Sequence, residues 1–227
     1  MEGNKNCKKK KTRNSGRYVC MKESLVTINN LTITIGLKTV FKSMSFSIYG
    51  GDSVLLTGEN GSGKSTLLKA IFGGQDKKQI QWNKKGERDR VSFLGHELGL
   101  YTSLTLEENL EYFSRISKKP ISKSKLIGIT EKFGLGKRVR DPVHTYSEGM
   151  KRKAGIIRAL LVDAELLLMD EPFNGLDSNS VDILSSLLKD FGKSTTFIIV
   201  SHEIQKIKSI VNRHLHIEHG KIREIND

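Results

Sequence analysis

Apolar and polar residues alternate from Leu25 to Ile35, the period of two that predicts a half-buried strand. Val40 to Ile48 alternates less regularly and predicts a second strand. Gly50-Gly51-Asp52 marks a turn, and Ser53 to Thr57 reads as a short buried strand. The period then changes. A helix is predicted from Lys64 to about Phe72, a strand over Val91 to Leu94, and a helix over Thr105 to Ile116. In that helix Leu106, Leu110 and Phe113 share one face. Another helix is predicted from Glu148 to Leu161. Leu166 to Met169 is apolar at every position, as in a strand covered on both sides. Val181, Leu184, Leu188 and Phe191 mark a helix face. Thr196 to Val200 is again strand, a helix is expected near Glu203 to Val211, and His214 to Glu224 predicts a hairpin turning near Gly220.

Strands alternating with helices imply an α/β domain with a mainly parallel sheet. The early strands have no helix between them, which predicts an antiparallel β layer on the N-terminal side. Residues from about 97 to 160 hold helical patterns without a convincing strand, so they are expected to form an inserted helical subdomain. The domain as a whole is expected to span residues 24–227. No apolar stretch approaches the 18 residues that a membrane-crossing helix needs, so work at a membrane requires the span to come from another chain.

Charge changes this picture only at the front. The net charge is +13, and residues 1–20 hold seven Lys or Arg against Glu2. A Lys-rich run without apolar periodicity cannot repay the entropy of ordering, so residues 1–23 are expected to be a disordered basic leader. Three readings of it stay open: a solvated tail, a start at Met21, or a tail for anionic lipid or nucleic acid. Both cysteines, Cys7 and Cys20, lie there, which leaves the body without a disulfide framework or a cysteine zinc site.

The strongest chemical signal is Gly58-Glu59-Asn60-Gly61-Ser62-Gly63-Lys64-Ser65-Thr66, after a buried strand and at the opening of a helix. It satisfies the phosphate-loop pattern, G-x-x-x-x-G-K-[ST]. Its glycines let successive N–H groups point inward at phosphate oxygens, and the helix N-terminus adds favourable partial charge. Lys64 is expected on the β- and γ-phosphates and the Ser65 hydroxyl on Mg2+. A second signal is Leu166-Leu167-Leu168-Met169-Asp170-Glu171. Ligands of such sheets sit at the C-terminal edge of the strands. There Asp170 is expected to hold the metal and Glu171 to orient or deprotonate the attacking water. Alone, these two acids would read as solvated; beside the phosphate loop they read as catalytic.

Between these motifs sits Tyr146-Ser147-Glu148-Gly149-Met150, leading into a helix. After Glu171 come Pro172-Phe173-Asn174-Gly175-Leu176-Asp177 and then Val200-Ser201-His202-Glu203. The series resembles the ATP-binding-cassette (ABC) ATPase family over about residues 24–224. The resemblance implies a head-to-tail dimer, of like or unlike chains, with each ATP clamped between one chain's phosphate loop and the other's Ser147 and Gly149. It implies a switch role for His202 at the γ-phosphate and a site-to-site role for Asp177. It further implies an integral membrane permease as partner, a cytoplasmic position on the inner face of the membrane, and no specific nucleic acid.

Three departures from the family pattern stand out. Where the family carries glutamine before the helical insertion, this sequence has His96, counted here with the catalytic set. The signature's usual first glycine is Glu148, whose side chain must point away or be paired. The usual aromatic under the adenine is Ile35, which predicts loose selectivity between ATP and GTP. The Leu94-Gly95-His96 turn and the later Leu104-Thr105, Glu108-Asn109-Leu110 and Asp170 to Asp177 segments resemble the haem exporter ATPase of cytochrome c maturation. A related small exporter for drugs, lipids or ions is the alternative. An ABC ATPase acting on nucleic acid or ribosomes, and an inert nucleotide-gated subunit, are further rivals.

Overall fold

The computed structural model describes residues 7–11, 18–73, 78–83, 91–116, 121–162, 164–192 and 195–225. Within the basic leader, β1 (Cys7–Lys11) and β2 (Tyr18–Lys22) pair antiparallel, Lys9 opposite Cys20. The sequence reading expected no regular element there. Local pairing of Tyr18 and Val19, good strand formers, with the preceding run supplies one. Residues 1–6 and 12–17 of the expected leader lie outside the described residues.

The body has two sheets. Strands β3 (Ser24–Ile35), β4 (Lys38–Tyr49) and β6 (Ile80–Trp82) form an antiparallel sheet with β3 in the middle. β6 is too short for a period of two to reveal. Strands β5 (Ser53–Gly58), β7 (Val91–Leu94), β8 (Leu166–Asp170), β9 (Thr196–Val200), β10 (Arg213–Glu218) and β11 (Lys221–Ile225) form the main sheet, in the order β11-β10-β5-β9-β8-β7. Every pair in it is parallel except the β10–β11 hairpin.

Alternate residues of the parallel strands serve two cores. Leu55, Leu167, Met169, Phe197 and Ile199 pack on the side of α4 (Glu148–Leu161) and α5 (Ser178–Phe191). Val54, Leu56, Leu166, Leu168, Ile198 and Val200 pack on the other side, with α1 (Lys64–Gly73) and the antiparallel sheet. All of these side chains are buried. The unbroken apolar run in β8 follows from this double coverage.

The helix-rich segment contains α2 (Leu106–Ile116), α3 (Lys123–Lys132) and the first half of α4. Thr105 caps α2: its hydroxyl accepts from Glu108 N at 3.1 Å, and Glu108 reaches back to Thr105 N at 2.8 Å. Asn109 is fully buried and satisfied, donating to the Tyr101 and Thr105 carbonyls and accepting from Tyr101 N. The helix expected near Glu203 to Val211 is shorter, α6 (Ile204–Ile207). The chain must turn at once so that Asn212 can join β5: its N–H donates to Ser53 O and its side chain accepts from Ser53 N.

The two sheets are pinned at one corner by Asp52 and Arg213. Asp52 is fully buried, accepts from Tyr49 N at 2.9 Å and forms a tight ion pair with Arg213. Arg213 also grips Glu224, donates to Ser47 O and lies over the Tyr49 ring. Hydrogen bonding by Glu224 and then Asp52 raises the pKa of the guanidinium. Removing one member of a buried pair strands the other. Asp52→Ala is therefore expected to lower unfolding free energy by about 3 kcal/mol in urea titrations. Glu224→Ala, at a more exposed pair, should cost less than about 1 kcal/mol.

Candidate functional site

The C-terminal edge of the main sheet opens into a cleft of about 600 Å³, walled by the phosphate loop and by residues from four other segments. The loop runs from the end of β5 into α1. Gly63 has φ +100°, and a Cβ there would stand 2.5 Å from both Val40 and Phe41, so the β4 strand packs directly against the loop. Gly58, at φ +150°, would meet the Ile217 carbonyl at 2.7 Å. These close approaches are the physical need for glycine at both positions.

Lys64 is buried, and its ammonium folds back over the loop, donating to Gly58 O at 2.8 Å and Glu59 O at 2.9 Å. The cation therefore stands over the concavity that the loop forms. Asn60, Gly61, Ser65 and Thr66 line the cleft beside it. Ser62 Oγ is buried without a hydrogen-bond partner among the described residues.

Asp170 ends β8 and is 1% exposed, and neither carboxylate oxygen has a hydrogen-bond partner among the described residues. Burying an ionised carboxylate so costs several kcal/mol unless a cation joins it. Two orphaned carboxylate oxygens in the same cleft as the Ser65 hydroxyl fit a hard divalent ion such as Mg2+. His96 Nε2 lies 3.8 Å from Asp170 Oδ2, on a ring that is 75% exposed.

Glu171 follows with a positive φ of +49°, an uncommon conformation for a residue with a side chain. Its N–H donates to Val200 O, and its own carbonyl accepts from Asn174 N. That turn aims its carboxylate at His202, with 3.4 Å between Oε1 and Nε2. Burial raises the pKa of the Glu171 carboxyl, and the nearby His202 partly opposes this.

Phosphate loop, His96, Asp170, Glu171 and His202 thus meet in one cleft. Ser147 and Gly149 do not. They sit at the exposed end of α4, where Ser147 caps the helix by accepting from Met150 N at 3.3 Å. Glu148 points away, 90% exposed and paired with Lys151 at 2.7 Å. Asp177 caps α5 through Ser180 N and pairs with Lys153 at 2.6 Å. Hydrogen bonds from Lys153 and Ser180 hold its carboxyl well below the usual range. Ile35, more than half exposed, lines the cleft with Lys38 and Val40, and no Phe, Tyr or Trp is among the lining residues.

Sequence reasoning missed Arg152 and Asn174. Arg152 lies in a Lys-Arg-Lys run leading into a helix, and its guanidinium reaches the carbonyls of Gly95, Asp170 and Glu171. Only its place three residues after Gly149 distinguished it. Asn174 was visible only as part of the segment following Glu171.

Comparison with known proteins gives the family and the fold. The family model described as ABC transporter matches residues 41–174. The cytochrome c biogenesis ATP-binding export protein CcmA of Vibrio cholerae serotype O1 is 28% identical, over 78% of this chain and 90% of that protein. The linearmycin resistance ATP-binding protein LnrL of Bacillus subtilis (strain 168) is 30% identical, over 87% and 68%. Among solved structures, an ATP-binding subunit of an ABC transporter superposes with a TM-score of 0.79 at 24% identity, covering 89% of this chain and 90% of that one.

The raised pKa of Glu171 carries a sign for stability. The folded state holds this proton more tightly than the unfolded chain, so the contribution is fully present below the ordinary glutamate value. It is lost as pH rises through the raised value. Glu171→Gln should therefore melt above the parent at pH 8, the gap closing toward pH 4 in a calorimetric series.

Proposed function

Since the chain belongs to the ABC transporter family as an ATP-binding ATPase, we propose that it powers transport through a separate membrane-spanning permease. Two cassettes close head to tail over two nucleotides. The observation that carries the reading is the single cleft in which the phosphate loop, the orphaned carboxylate of Asp170 and the Glu171–His202 pair converge. Among the described residues no helix is long and apolar enough to cross a membrane, so the span belongs to the partner. The chain then sits on the cytoplasmic face of that membrane.

In the mechanism proposed, the triphosphate enters over the phosphate loop, where Lys64 exchanges the Gly58 and Glu59 carbonyls for phosphate oxygens. Asp170 and the Ser65 hydroxyl are the groups to hold Mg2+, whose chemistry when bound is to neutralise charge on the phosphate oxygens. Glu171 orients the attacking water in line and takes its proton, and His202, within reach of Glu171, holds the γ-phosphate geometry. His96 lies beside the metal carboxylate, on the segment that leads into the helical subdomain. Ser147 and the Gly149 amide, at a helix N-terminus, serve the nucleotide of the opposite chain.

For cargo, the haem-exporter type is the reading we favour, on the Leu94-Gly95-His96 turn and the likeness to CcmA. The likeness to LnrL supports a second reading, a small exporter for drug efflux. Affinity purification from native membranes decides between them. Co-purification of a multi-span protein with cytochrome c assembly factors supports the first. A multi-span protein without them supports the second, and soluble partners alone overturn transport.

Three further outcomes are expected. Glu171→Gln should lower turnover by about 10²–10⁴-fold and leave ATP binding intact, read by steady-state hydrolysis and by fluorescent-nucleotide titration. GTP should be hydrolysed with a kcat/KM within about tenfold of ATP. Ile35→Tyr should then tighten ATP binding by about two- to tenfold through base stacking.

A further inference from the structure

Three residues beyond Gly149 in α4, one arginine lies outside the reaction proposed above and yet is built into its site. Arg152 turns its guanidinium inward. Nη1 donates to Gly95 O at 3.1 Å, and Nη2 donates to Asp170 O at 3.0 Å and to Glu171 O. Nε is buried without a partner among the described residues. The polar partners of this cation, among the described residues, are three main-chain carbonyls and no carboxylate. Burial lowers its pKa, against the pull of Asp170 and Glu171 nearby. A charge half out of water and joined only to carbonyls is poor value as a plain stabilising contact.

What it joins is more telling. Gly95 follows β7 and precedes His96, while Asp170 and Glu171 close β8. The Glu171 carbonyl belongs to the residue held at φ +49°, so a donor on it anchors the turn that carries that carboxylate. The fork of one guanidinium therefore fixes two strand ends and a strained turn relative to α4. The N-terminus of that same helix carries Ser147 and Gly149.

We propose that Arg152 is a positioning residue for hydrolysis. It holds the turn that aims Glu171 and the segment that carries His96, and it makes both move as one body with the helix end bearing Ser147 and Gly149. In a head-to-tail pair, closure of α4 on the opposite nucleotide would then set the catalytic turn of its own chain. The inference rests on the proposed roles of Glu171 and of the two-chain sandwich. Lysine cannot replace the fork, because a single ammonium lacks the planar pair of donors that spans two strand ends.

The test uses the full chain with Arg152→Gln, Arg152→Lys and, as reference, Glu171→Gln. Turnover, fluorescent-ATP affinity and melting temperature are measured for each. A fall in kcat of about 10–100-fold, with nucleotide affinity within about twofold of the parent, is expected for both Arg152 variants. Two results overturn the proposal: parental kcat in Arg152→Gln, or restoration of kcat by Arg152→Lys. If Arg152→Gln does not fold, Arg152→Lys, which keeps the charge and most of the stem, decides alone by the same kcat-against-affinity split. Parental turnover in Glu171→Gln would instead remove the catalytic assignment on which the inference rests, whatever the Arg152 variants do.

Discussion

A carboxylate at the end of a strand that water hardly reaches is the constraint around which this molecule is arranged. Asp170 is 1% exposed and closes a strand whose every side chain is buried. In such a place a polar group is costly unless polar or charged neighbours answer it. The surroundings answer that need from several directions. The Arg152 guanidinium lies behind the main chain, the exposed His96 ring stands 3.8 Å away, and Lys64 lines the same cleft. The two carboxylate oxygens themselves accept no hydrogen bond among the described residues.

Much of this was legible in the sequence because the decisive elements are locally encoded. Strand β8 announces itself by four apolar residues before two acids, and the phosphate loop by glycines whose places are fixed by contacts with Phe41 and Ile217. Helix α4 and the β10–β11 hairpin fell where their periods put them. What escaped was set by tertiary contact. β6 is three residues long and exists because β3 offers it an edge. α6 stops early because Asn212 is needed beside Ser53. The ribbon in the basic leader runs against a composition that argued for no structure at all.

The site was legible as a set of residue types, less so as a geometry. His96, the Asp170-Glu171 pair and His202 are far apart in sequence, and a parallel sheet brings them together because each lies at or just beyond the C-terminal end of a strand. Arg152 was illegible for the opposite reason. Its neighbours Lys151 and Lys153 do pair at the surface, with Glu148 and Asp177, and only the helical rotation between them turns Arg152 inward. Ser147 and Gly149 lie away from the cleft, at the capped end of α4.

The alternation of the parallel strands between two cores has an evolutionary corollary. Leu167 and Met169 belong to one core, Leu166 and Leu168 to the other. Inserting or deleting a single residue in β8 would exchange the cores and at the same time turn Asp170 and Glu171 to opposite sides of the sheet. Such a strand can drift by substitution but not by changes of length. The segment between β7 and α4 has no comparable lock, since its helices and turns lie outside the main sheet. A residue gained or lost there would leave the register of the sheet, and with it the placing of Asp170 and Glu171, untouched.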